Sequence, residues 1–172
     1  KLGRLDTLVN NAGTYLDTNF DDLTEAVFDR TFNLNVKGYL FASQAFVKGL
    51  APGQENPSII CTGSTNSLAA EKNSVVYDTS KGAVLMLVRN LAVTLAERGI
   101  RVNGIGPGIV ETPLSAKGLA TPGVRPALER QIPLGRIGVP DEIGGAAVFL
   151  ASPAARYITG QMLGVNGGLV LA

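Results

Sequence analysis

Ser58-Ile59-Ile60-Cys61-Thr62 is a short run with a continuously apolar centre, which predicts a strand buried on both faces of a parallel sheet. Downstream of it, Val84, Leu85, Val88, Leu91, Ala92 and Leu95 keep the 3.6-residue spacing of an amphipathic helix over residues 75–98. Arg98 and Gly99 form its C-terminal stop. Ile100-Arg101-Val102-Asn103-Gly104-Ile105 then predicts a further strand, closed by Gly106-Pro107-Gly108. Strand, helix and strand in this order make a parallel crossover unit. Upstream, a strand is expected at about residues 7–10. A helical pattern follows over residues 22–50, through Phe28, Phe32, Val36, Leu40 and Phe41. Pro113, Pro122, Pro126 and Pro133 loosen residues 111–136 into an expected mobile flap with short helices. Pro140-Asp141-Glu142 opens a last helix to Leu150, and residues 160–165 form a last strand. The fold class is therefore α/β, a doubly wound, Rossmann-like parallel sheet in a single domain.

That sheet has an unguarded side. Leu8 and Val9 would form an apolar edge strand, which proteins normally cover. Nucleotide sites in doubly wound sheets need strands on both sides of the point where strand order reverses. No G-x-G-x-x-G turn follows any of the strands, and the chain opens at Lys1 without a methionine. Residues 1–172 are thus expected to be the C-terminal part of one domain, with a βαβαβ segment of roughly 75 residues before Lys1.

Apolar residues make up 45% of the 172 and charged residues 17%, a balance suited to a folded core and not to a disordered chain. The net charge of +1 is scattered without a basic run, which argues against nucleic acid as a partner. No stretch approaches the roughly 20 apolar residues of a membrane span. Cys61 is the only cysteine, which excludes an intrachain disulfide and fits a cytoplasmic setting. With no histidine, His-based triads are excluded and no metal site is expected. Any general acid or base must be Tyr, Lys, Asp or Glu.

Tyr77 and Lys81 stand four residues apart at the start of the long helix, with Ser64 just beyond the preceding strand. One helical turn puts the phenol and the ammonium on one face, where the positive charge is expected to favour the phenolate. The plain alternative is an exposed i,i+4 pair. Ser64 can equally be a turn or N-cap serine, and Asn35 an exposed helix residue. Asn10-Asn11-Ala12-Gly13 and Pro107-Gly108 can be ordinary turns, and Thr112 the N-cap before Pro113. Asp78 reads as a solvated first-turn acid and Asn166-Gly167-Gly168 as a tight structural turn.

Taken in order, these motifs resemble the short-chain dehydrogenase/reductase family of NAD(P)-dependent oxidoreductases. They are Asn10-Asn11-Ala12-Gly13, Asn35, Ser64, Tyr77 with Lys81, Pro107-Gly108 with Thr112, and Asn166-Gly167-Gly168. The resemblance runs from about Leu5 to Gly168. It implies a catalytic tetrad of Asn35, Ser64, Tyr77 and Lys81. Tyr77 would move a proton, Ser64 hold the substrate oxygen, Lys81 hold the nicotinamide ribose, and Asn35 bend its helix and hold a water. It implies cofactor contacts at Asn11, Ala12, Gly13, Tyr77, Lys81, Pro107, Gly108, Val110 and Thr112. The cofactor would be NAD or NADP, and the substrate a small alcohol or carbonyl compound: a sugar alcohol, a hydroxy acid or a 3-oxoacyl thioester. The family also implies a homo-oligomer, a dimer or homotetramer, built through the two long helices and the C-terminal segment, where Leu169-Val170-Leu171-Ala172 is apolar. A truncated or degenerate non-catalytic member acting as a binding or structural subunit is the alternative.

Overall fold

The computed structural model describes residues 3–16 and 18–171. Lys1 and the last residue of the apolar tail, Ala172, lie outside them. Four strands form one parallel sheet in the order β1 (Thr7–Asn10), β2 (Ser58–Thr62), β3 (Arg101–Pro107) and β4 (Met162–Val165). Leu8 pairs with Ile59, Ile59 with Val102, and Ile105 with Leu163. Strand β1 is an edge, and Val9 on it is half exposed, as the apolar edge in the sequence foretold.

Helices cover both faces, because successive strand residues point to opposite sides. Ile59 and Cys61 on β2 and Val102 on β3 face one core. There they meet Val84, Val88, Ala92 and Leu95 of α3 (Val75–Leu95), and Tyr39, Phe46 and Val47 of α2 (Gly38–Lys48). Ile60 and Ile105 face the other core, with Leu150 of α6 (Pro140–Ala151) and Ala155. Each fully buried Ile, Leu or Val contributes about 1.5–3 kcal/mol, so these two layers hold the sheet. Gly99, at φ 69°, ends the helical segment after α3 in the left-handed conformation that glycine adopts without penalty. The buried Arg101 guanidinium donates to the Leu150 carbonyl at 2.7 Å and to Asn56 Oδ1 at 2.9 Å, tying the end of α6 to the sheet.

Three expected elements differ in extent. The helix over residues 22–50 is broken into a 3-10 turn Phe20–Asp22, helix α1 (Glu25–Phe32), a π-turn Asn33–Lys37, and α2. The strand after α3 extends to Pro107, and the last strand starts at Met162, after Gly160 has turned the chain at φ 75°. Residues 111–136 hold two short helices, α4 (Pro113–Leu119) and α5 (Val124–Glu129). Among the described residues no helix is long and apolar enough to cross a membrane. None of their His, Cys, Asp and Glu side chains group into a metal-binding cluster of three or more.

At the carboxyl end of β3, Gly108 donates its N–H to the Val165 carbonyl at 3.0 Å. A methyl group there would sit 2.8 Å from Asn166 Cα and Cβ. Gly108→Ala must push the two strand ends apart and is expected to cost about 1–3 kcal/mol in urea unfolding. Gly118→Ala, in α4 with nothing within 4 Å, serves as the control and is expected to be neutral or slightly stabilising.

Candidate active site

The carboxyl ends of β1 and β2 gather the first group of candidates. Asn10 is buried, and its Nδ2 donates to Ser43 Oγ at 3.0 Å, anchoring the end of β1 to α2. Thr62 Oγ1 on β2 donates to Asn11 Oδ1 at 3.0 Å. Beyond Ala12, Gly13 lets the loop run close to α3 and the π-turn. A Cβ there would lie 3.4 Å from Asn35 Oδ1 and 3.8 Å from Lys81 Nζ.

Asn35 is fully buried in the π-turn, against the alternative of an exposed helix residue. Its Oδ1 accepts from the Thr14 N–H at 2.9 Å. Its Nδ2 donates to the Thr14 carbonyl at 3.1 Å and to Ser80 Oγ at 3.0 Å. The side chain thus bolts the loop after β1 to α3, and the π-turn supplies the local bulge that aims it.

Lys81 is 4% exposed. Its ammonium donates to the Thr62 carbonyl at 2.8 Å and lies 5.6 Å from the Tyr77 ring centroid and 5.9 Å from that of Tyr39. Burial pulls its pKa down to about 8. Tyr39, which the sequence did not single out, is buried, and its hydroxyl donates to the same Thr62 carbonyl at 3.4 Å. One signal for it was available: it follows Asn35 by one helical turn.

Tyr77 is partly buried, with the Tyr15 ring edge-on at 4.9 Å. Burial raises its phenol above the free value of 10.0. The Asp78 and Glu71 charges push the same way, and the Ser64 hydroxyl pulls it down. The lowering expected from Lys81 is not among the influences on the phenol. The ammonium lies over the aromatic ring, and desolvation of the phenolate dominates.

Ser64 caps the 3-10 turn Thr65–Ser67, and Ser67 Oγ donates to the Lys81 carbonyl at 2.9 Å, which fastens this turn to α3. Asp78 is not the solvated acid expected from sequence. It accepts from Asn66 Nδ2 at 2.7 Å, from Ser74 Oγ at 2.7 Å and from the Glu71 N–H at 2.7 Å. Three convergent donors on adjoining loop residues draw it into that loop.

The remaining candidates lie past β3. Pro107 ends the strand, Val110 bridges to Gly138, and Thr112 is the N-cap of α4, its hydroxyl accepting from the Ser115 N–H. Asn166 holds its own turn, accepting from the Gly168 N–H at 2.9 Å and donating to the Val170 carbonyl at 2.9 Å. A cavity of about 450 Å³ opens here between Val110, Ile132, Leu134, Arg136 and Asn166, and none of Asn35, Ser64, Tyr77 or Lys81 lines it. Arg136 and Glu142 form a bidentate pair at its rim, which with the Val139 N–H holds the Glu142 carboxyl down at about 2.

Residues 1–170 match a family model described as enoyl-(acyl carrier protein) reductase. A glucose and ribitol dehydrogenase homolog of Oryza sativa subsp. japonica is 42% identical over 98% of this chain, which spans 58% of that protein. A crystal structure of a short-chain dehydrogenase/reductase, glucose/ribitol dehydrogenase, from Brucella melitensis is 35% identical with a TM-score of 0.92, covering 99% of this chain and 67% of the other. A gluconate 5-dehydrogenase from Burkholderia cenocepacia J2315, in complex with NADP and tartrate, is 34% identical with a TM-score of 0.93, covering 98% of this chain and 66% of the other. The chain thus spans about two thirds or less of the length of these relatives.

Proposed function

The chain belongs to the short-chain dehydrogenase/reductase family, and on that premise we propose that it carries the catalytic side of an NAD(P)-dependent oxidoreductase acting on an alcohol or carbonyl group. A bound nicotinamide dinucleotide supplies or accepts the hydride. The observation that carries the reading is Lys81. A buried ammonium has three donors, and this one has a single hydrogen-bond acceptor, the Thr62 carbonyl, among the described residues. Two N–H groups remain for ribose hydroxyls, the group that the dinucleotide would bring.

The other roles follow from chemistry at named atoms. Tyr77, held above its free pKa, keeps its proton at neutral pH and is suited to donate it to a carbonyl oxygen. Ser64 Oγ would steady the same oxygen as charge develops. Asn35 keeps Asn11, Ala12 and Gly13 against α3, where small residues allow a ligand close approach. Pro107, Gly108, Val110 and Thr112 would meet the carboxamide side of the nicotinamide. No glycine-rich phosphate turn is among these residues, so the pyrophosphate must be held elsewhere. We assign that task to an N-terminal βαβαβ half beside β1, and expect a cytoplasmic homo-oligomer. Sugar alcohols, hydroxy acids and 3-oxoacyl thioesters all remain within the substrate class.

The test is direct. The intact protein should bind NADH or NADPH and oxidise it in the presence of one member of a panel of sugars, oxo acids and 3-oxoacyl thioesters. No binding of either dinucleotide, together with no turnover across the panel, would sink the proposal.

A further inference from the structure

A hydroxyl group has one proton, and the Ser64 proton is received by Asn66 Oδ1, while in the proposed mechanism the Tyr77 phenolate and a substrate oxygen would compete for it. Asn66 holds the prior claim. Its amide orientation is decided by two carboxylates, because Nδ2 donates to Asp78 Oδ1 at 2.7 Å and to Glu71 Oε2 at 3.2 Å. Its Oδ1 must then face the serine. Ser64 Oγ donates to it at 3.3 Å, Thr65 Oγ1 donates to it at 3.3 Å, and the Asn66 N–H donates back to Ser64 Oγ at 3.1 Å. Asp78 is itself fixed by Ser74 and the Glu71 N–H, so the amide has little freedom to turn over.

We propose that Asn66 is a positioning residue that draws the single Ser64 proton away from Tyr77 and the substrate oxygen, so that Ser64 donates into the site only when this bond yields. The proposal rests on the reading of Ser64 and Tyr77 as a proton-transfer pair. Nothing is transferred in the switch: the hydroxyl rotates, one long hydrogen bond breaks and another forms. When Tyr77 ionises, the phenolate must win the Ser64 proton from Asn66, and the pull of Ser64 on the phenol is only partly expressed.

The groups facing Tyr77 are Ser64 from the end of β2, Glu71 and Asp78 from the loop and helix beside it, Lys81 from its own helix, Tyr15 from the loop after β1, and Tyr39 from α2. Removing Asn66 therefore has two opposed effects. A freed Ser64 lowers the Tyr77 midpoint, and less shielded Asp78 and Glu71 raise it. A Ser64→Ala background separates them, because only the first effect passes through the serine.

The experiment is an ultraviolet tyrosinate titration of the intact protein, with Tyr77 assigned by subtraction of Tyr77→Phe. The pH profile of kcat/KM for alcohol oxidation runs in parallel. Asn66→Ala is measured with and without Ser64→Ala. Asn66→Leu, of similar volume, repeats the measurement in case the smaller variant folds poorly. The midpoint change caused by the Asn66 variant is expected to be about half a pH unit lower with Ser64 present than in the Ser64→Ala background, the size of one modest hydrogen bond. Equal changes in both backgrounds, or a higher midpoint with Ser64 present, overturn the proposal, even where kcat falls. If no substrate is turned over, the functional reading fails, while the tyrosinate titration still decides this one.

Discussion

Tyr77→Phe is expected to lower kcat by about 10²- to 10⁴-fold, the range associated with loss of a positioned general acid or base. The substitution removes one hydroxyl and keeps the ring. The edge-on contact with Tyr15 at 4.9 Å and the Lys81 ammonium at 5.6 Å therefore both persist. Dinucleotide affinity should change by less than about threefold, because a phenol that acts only on the reacting oxygen adds little to ground-state binding. Stability should be level or slightly higher, since a partly buried hydroxyl no longer has to be desolvated. Steady-state kinetics and a dinucleotide titration on the same preparation check this. Full activity in Tyr77→Phe on any substrate would remove the tyrosine from the mechanism. A fall in activity tracked by an equal fall in dinucleotide affinity would make its role one of binding.

Lys81→Met should separate stability from activity more sharply. Burial lowers the Lys81 pKa from 10.5 to about 8, a depression corresponding to about 3 kcal/mol. The sign follows from linkage. Between pH 8 and 10.5 the unfolded chain binds the proton more than the folded one does, so stability of the parent rises with pH across that window. Below it, at neutral pH, the folded protein carries a charged amine in a site that favours the neutral form. Methionine has a similar length, fills irregular space and carries no charge. It forgoes the hydrogen bond to the Thr62 carbonyl, which Tyr39 also reaches. Lys81→Met is expected to stabilise the protein by about 1–3 kcal/mol at pH 7, with the gain shrinking as pH rises through 8 towards 10.5. Hydride transfer should fall by about 10²-fold or more over the same range, with weaker dinucleotide binding. Urea unfolding at pH 7 and pH 10 is the measurement. A destabilised Lys81→Met at pH 7, or a gain that grows with pH, would contradict the burial argument.

Much of the scaffold is legible in the sequence. Ser58–Thr62 is a central strand because Ile59 and Cys61 must be buried on one face and Ile60 on the other, and only a sheet covered on both sides allows that. The run from Val84 to Leu95 repeats at helical spacing and lies where that pattern directs it. Periodicity does not show the break at Asn33–Lys37, although the family resemblance implied a bend at Asn35. Its cause is the Asn35 amide reaching the Thr14 backbone and Ser80, groups 21 and 45 residues away. Asp78 shows the same limit. An acid in the first turn of a helix is ordinarily solvated, yet the loop over residues 66–74 folds back and gives it three donors.

For the site, local spacing brought Tyr77 and Lys81 to one helix face and put Ser64 at the end of the neighbouring strand. Periodicity and strand termination are properties of nearby residues, so a single sequence determines them. What surrounds these groups was decided by the tertiary structure: Tyr15 and Tyr39 around the phenol and the ammonium, Asn66 on the Ser64 proton, and the burial that moves the Tyr77 and Lys81 pKa values away from their free values. Desolvation and the sharing of one proton depend on which distant segments close over a group, and no spacing along the chain encodes that.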